Sequence, residues 1–165
     1  MNWSRTFIDG FMMSWCFNAV IALTWLIIPN TFSSMLPSEI RKASPRRNSK
    51  EVLLLRIILL FTYTFLLAYA IISAYIDKIM GFWNLFWMAY IEMFFVNLGD
   101  FFFLDIFFRK IMKKRIMIPG TEHCESWNTK KFLLTLGLPE HWILWPFIVC
   151  PVVGLLCAGI GLLIR

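Results

Sequence analysis

Histidine and cysteine are scarce, with two and four residues respectively in a chain of 165. Cys16, Cys150 and Cys157 fall inside apolar runs and Cys124 falls in a polar loop. That distribution excludes a scaffold of paired extracellular disulfides and leaves the thiols as small packing groups. His123 and His141 both fall outside the apolar runs, which excludes bis-histidine haem ligation. No P-loop, Rossmann glycine pattern or nucleophile elbow is present. No A-x-A-like site follows Ile28, and the first apolar run is longer than a signal-peptide core, so it reads as a transmembrane helix. What is abundant is apolar surface: 59% of residues are hydrophobic, 18% are aromatic and the mean hydropathy is +0.70. Soluble domains carry roughly 45–50% apolar residues, so the composition is that of an all-α integral membrane protein with a single domain, residues 1–165.

Hydropathy divides the chain into spans at residues 11–29, 52–76, 82–108 and 142–164, with a short interfacial helix at 127–136. The expected architecture is a four-helix up-down bundle. Residues 30–50 read as a solvated loop, and Asn48 followed by Glu51 resembles a capping box that starts the second helix at Ser49. The turn around Asp77, Lys78 and Gly81 is short enough to make spans two and three antiparallel neighbours. Gly137 and Pro139 are expected to end the interfacial helix. Gly154 and Ala158 form a small-xxx-small step suited to close helix contact. The net charge of +6 would suggest nucleic acid in a soluble protein. Here every Lys and Arg except Arg5, Lys78 and Arg165 lies in or beside the first and third loops. That pattern points to the lipid bilayer and anionic headgroups as partners, without nucleic acid. It also predicts a multi-pass protein of the cell membrane with both basic loops cytoplasmic and both termini outside. A second membrane subunit or a second copy of the chain is a compatible partner.

The third span carries Glu92, Asn97, Asp100 and Asp105, and acids within hydrocarbon need a partner or a purpose. At 100° per residue, Asp100 lies about 80° and Asn97 about 140° from Glu92, while Asp105 lies about 220° away. Glu92, Asn97 and Asp100 are therefore the candidate ligand-binding residues, with Arg56 of the second span a candidate partner for Asp100. Asp105 has Arg109 four residues later and is assigned to a structural pair. The run Glu122-His123-Cys124-Glu125 collects potential ligands, but adjacent residues seldom converge on one ion, so neither a metal nor another cofactor is expected. His141, beside Glu140 at the mouth of the last span, reads as an interface residue.

The stretch Asn97-Leu98-Gly99-Asp100-Phe101-Phe102-Phe103-Leu104-Asp105 resembles the acidic motifs of intramembrane prenyl and alcohol-phosphate transferases, in which carboxylates hold Mg²⁺ against a diphosphate. Those families use a second acidic motif, which the other spans here do not supply. The same stretch with Ile118-Pro119-Gly120-Thr121-Glu122 resembles a pattern in small, uncharacterised bacterial four-span membrane proteins. That resemblance implies a four-span architecture and carries no activity. Two function classes follow. The first is a binding, transport or accessory subunit whose third-helix acids take a cation, a proton or a polar lipid headgroup. The alternative is a small enzyme acting on lipid at the cytoplasmic interface, with Glu92, Asp100 and either Glu122 or His123 as metal ligands or acid-base groups. The first is preferred because no complete catalytic constellation is visible.

Overall fold

The computed structural model describes residues 2–164, which are all-helical with no strand among them. Helix α1 spans Trp3–Ile27. A 3₁₀ turn follows at Pro29–Met35, then the short helix α2 at Ser38–Ala43. Helix α3 spans Ser49–Ile76. Helix α4 runs without a break over residues 82–116, and its central stretch, Asp100–Phe108, is π-helical. After a loop, helix α5 covers Thr129–Leu163, with π-helical stretches at Leu133–Gly137 and Glu140–Val149.

Four boundaries differ from the sequence reading, each for a physical reason. The polar lead before residue 11 is helical: Asn2 caps α1 through Arg5 N at 3.3 Å, and Arg5 pairs with Asp9 one turn on at 3.0 Å. Residues 30–50 are partly packed, because Phe32, Leu36 and Ile40 insert into the core. The third helix runs past Phe108 to Ile116 because Arg109, a basic residue expected to face water, is buried. The interfacial helix and the last span are one continuous helix. Gly137 and Pro139 do not stop it, since Leu138 and Pro139 keep right-handed helical dihedrals. Widened π-helical turns on both sides of Pro139 accommodate the missing amide hydrogen that would break a regular α-helix. Asn48 does cap α3 as expected, its Oδ1 accepting from Lys50 N at 3.0 Å.

Helices α1, α3 and α5 are long and apolar enough to cross a membrane. They expose Ile8, Phe11, Trp15, Leu60, Phe61, Ile143 and Phe147, more large apolar side chains than soluble monomers usually present. Helix α4 carries the acids and lies at the centre, packed most extensively against α1 and the C-terminal half of α5. The short turn does not make α3 the main neighbour of α4; α3 lies to one side, touching α1, α4 and α5 more sparsely.

Helices α1 and α4 run parallel, with Gly10 beside Glu92 and Ser14 beside Gly99. At Gly99 a Cβ would lie 2.0 Å from Ser14 Oγ and 2.6 Å from Asn18 Nδ2, so the approach requires glycine. On the opposite side Gly154 seats α5 against the ring and carbonyl of Phe86, where a Cβ would lie within 3.0 Å. Both basic loops lie at one end of the bundle. There the carboxylate of Glu39 in α2 accepts from Glu125 N at 3.0 Å, from Ser126 N at 3.1 Å and from the Ser126 hydroxyl, and Lys131 Nζ is 3.3 Å away. This clasp closes α2 over the loop between α4 and α5.

Candidate functional site

The π-helical stretch determines which side chains meet. In an α-helix, residues five apart diverge by about 140°; in a π-helix, where hydrogen bonds run from i to i+5, they stack on one face. Asp100 and Asp105 both lie in this stretch and project to the same side, where His141 approaches from a π-helical segment of α5. One ligating atom from each of the three lies within 4.8 Å of the others. His141 Nε2 is 3.2 Å from Asp105 Oδ2, and His141 is only 2% exposed.

Asn97 fixes the imidazole. Its Nδ2 donates to the backbone carbonyl of His141 at 2.9 Å, so its Oδ1 is the atom 2.7 Å from His141 Nδ1. An amide oxygen only accepts, so Nδ1 carries the hydrogen and donates. Nε2 is the nitrogen turned toward the two carboxylates.

Asp100, Asp105 and His141 form part of the wall of a cavity of about 200 Å³. The rest of its lining is mostly apolar and aromatic, including Phe17, Trp25, Phe32, Tyr63 and Trp145, with Glu140 at its edge. Met35, Leu36, Leu136 and Glu140 also line an adjoining surface groove that reaches Arg41 at the basic-loop end. No Lys or Arg lines the cavity, and His141 is the one basic side chain among its lining residues. Arg109 does not pair with the carboxylate of Asp105: its Nε donates to the Asp105 backbone carbonyl at 3.0 Å and its Nη1 to the Trp127 carbonyl at 3.3 Å. Its guanidinium stacks over Phe132, with Cζ 3.9 Å from the ring centroid.

Of the candidates read from sequence, Asn97 and Asp100 lie here, Asp100 lining the cavity opposite Tyr63. Arg56 is exposed on α3 and forms no ion pair with Asp100. Glu92 belongs to a different cluster. It precedes Asp100 by eight residues, about 12 Å along a helix axis, and sits beside Gly10 near the other end of the bundle. There Asp9 accepts from Tyr69 at 2.9 Å, from the Ser73 hydroxyl and from Arg5. Glu92 is fully buried, and neither carboxylate oxygen has a hydrogen-bond partner among the described residues.

Asp105 and His141 are the site residues that sequence reasoning placed elsewhere. For Asp105 no sequence signal announces the change from α to π geometry. For His141, the expected helix stop at Gly137 and Pro139 concealed that it lies inside a continuous helix. Glu122 and His123 line a separate surface hollow with Lys113 and Lys131. No known protein-family model matches the chain, and no curated protein or solved structure matches it.

Proposed function

We propose that this chain is a four-span membrane protein that binds a cation in its interior, as a binding, transport or accessory subunit, with access from the cytoplasmic, basic-loop end. One observation carries the reading: two carboxylates, Asp100 and Asp105, face a cavity with no Lys or Arg in its wall, where the one basic group beside them is the imidazole of His141. Two acids in a low-dielectric interior with a single imidazole beside them are unfavourable as a charged pair, and a cation between them removes the cost. Helices α1 and α5, both suited to crossing a bilayer, pack on α4, and turning its acids toward such neighbours is how a span bearing acids shields them from lipid. Glu140, at the junction of cavity and groove, favours cations over anions at the approach. The alternative, lipid chemistry, receives less support, because Glu122 and His123 line a separate hollow and no complete catalytic set forms around His141.

The test is thermal unfolding of the purified protein in lipid nanodiscs with added Na⁺, K⁺, Mg²⁺, Ca²⁺, Mn²⁺ or Zn²⁺. A cation that binds the folded state raises Tm with concentration, and Asp100→Asn should abolish that rise. If no cation raises the wild-type Tm, or the variant responds equally, the interior cation site is wrong.

A further inference from the structure

We propose that Asp100, Asp105 and His141 together form a three-ligand site for a divalent first-row transition-metal ion, with Asn97 as the residue that positions His141. This rests on the cation-binding reading and narrows it from cations in general to one coordination chemistry.

The donor set is the first argument. Two carboxylates and one imidazole suit Zn²⁺ or Mn²⁺, whereas alkali and alkaline-earth ions favour all-oxygen sites. Two carboxylates also neutralise a divalent ion, so the loaded site carries no net charge into the interior.

The imidazole is the second. Metal-bound histidines characteristically donate their other ring N–H to a fixed acceptor, which sets the tautomer and the ring orientation. Asn97 does this for His141, held in turn by the His141 carbonyl. The nitrogen left for a ligand, Nε2, is the one that points at the acids.

Geometry is the third. Ligand atoms bound to one ion at about 2.1 Å lie no more than about 4.2 Å apart. His141 Nε2 and Asp105 Oδ2 are already 3.2 Å apart, and all three ligating atoms lie within 4.8 Å of one another, so a carboxylate rotation completes the set. The cavity leaves room for water or a substrate group at the remaining positions, an open site rather than a closed structural one. The adjoining surface groove is the proposed way in.

The experiment uses the full chain in nanodiscs with His123→Ala and Cys124→Ser introduced, removing the adjacent imidazole and thiol at the separate hollow that would bind metal adventitiously. Zn²⁺ and Co²⁺ are the probes. One equivalent of Co²⁺ should bind with visible ligand-field bands stronger than those of the hydrated ion. Asp100→Asn and His141→Gln should abolish these bands, and Asn97→Ala should weaken affinity about 10- to 100-fold. Glu92→Gln, in the other buried cluster, should leave binding unchanged.

A variant that fails to fold does not block the test. In the unsubstituted protein labelled with ¹⁵N-histidine, Zn²⁺ should shift His141 Nε2 while Nδ1 keeps its proton. Co²⁺ with only its hydrated spectrum, Zn²⁺ binding unaffected by Asp100→Asn, or a proton on Nε2 that Zn²⁺ does not displace would each overturn the metal site. If Na⁺ or K⁺ still stabilises the protein in an Asp100-dependent manner, the cation-binding reading survives and only the metal falls. If no cation has any effect, both fall.

Discussion

Arg109 shows how the chemistry of one residue is divided between its side chain and its backbone neighbours. Spacing alone pairs it with Asp105, and the two are adjacent, but the guanidinium takes the Asp105 carbonyl rather than the carboxylate. That leaves the carboxylate free to face His141. Arg109 instead ties α4 to the loop through the Trp127 carbonyl and to α5 through the face of Phe132. A planar, delocalised cation is suited to this position and an ammonium is not. Arg109→Lys should therefore destabilise the fold by about 2 kcal/mol, the scale of one hydrogen bond to a charged group, read from unfolding in mixed micelles. If the simple ion pair were the true arrangement, Asp105→Asn would reproduce that loss; here it should leave Arg109 in place, because the backbone carbonyl remains. Asp105 was misread for the same reason: the α-helical angle is a property of the hydrogen-bond register, and an i→i+5 register rotates the residue onto the face of Asp100.

At the scale of elements, the loop regions hold more structure than their composition suggests. Residues 118–128 look like a polar connection, yet Ile118 and Thr121 are fully buried. Thr121 Oγ1 accepts from Trp127 Nε1 at 2.9 Å and donates to the Ile118 carbonyl at 2.7 Å. Gly120, at φ +87°, makes the turn that permits this. The Pro-Gly-Thr-Glu motif noticed in sequence is thus a folded plug, with Glu122 Oε1 accepting from Gly120 N at 3.0 Å. Helix α2 is fastened to the plug by Glu39. The Ser126 hydroxyl, followed by the backbone amides and Lys131, pulls the Glu39 carboxyl down to about 2 from an ordinary value of 4.5. A carboxyl lowered on folding contributes stability that is complete above its unfolded value and is lost as pH falls through its folded value. The clasp should therefore hold at neutral pH, its contribution to stability should fall between about pH 4.5 and pH 2, and in the native protein it should open as Glu39 protonates near pH 2. The Ser126 amide resonance should titrate with a midpoint near pH 2 in the native protein, and Glu39→Gln should remove that transition. A midpoint near 4.5 would mean that Glu39 is not held by these donors.

For the whole molecule, hydropathy correctly indicated an all-helical chain; of the four spans it predicted, three correspond to helices long and apolar enough to cross a membrane, α1, α3 and α5. It did not indicate how the helices are arranged. Chain order and short turns suggest a ring of sequential neighbours, but α4 packs chiefly on α1, its parallel partner, and on α5, leaving α3 to one side. The reason lies in small residues that are easily overlooked in an apolar sequence: Gly10, Ser14 and Gly99 let α1 approach α4 closely, and Gly154 does the same for α5. Charge adds the other constraint. The clasp from Glu39 to Ser126 joins the first and third loops, so Arg46 and Lys113 belong to one end, while Lys78 belongs to the turn between α3 and α4 at the other. An excess of Lys and Arg on one side orients a membrane protein with that side toward the cytoplasm. Single cysteines at position 46 or 113, in a background lacking the native four, should react with a membrane-impermeant maleimide only in inside-out vesicles. A cysteine at position 78 should react only in right-side-out vesicles. Labelling of 46 and 113 from opposite sides would break the four-span arrangement; labelling of both from outside would keep the bundle and invert it, moving the groove beside the Asp100 cavity to the exterior.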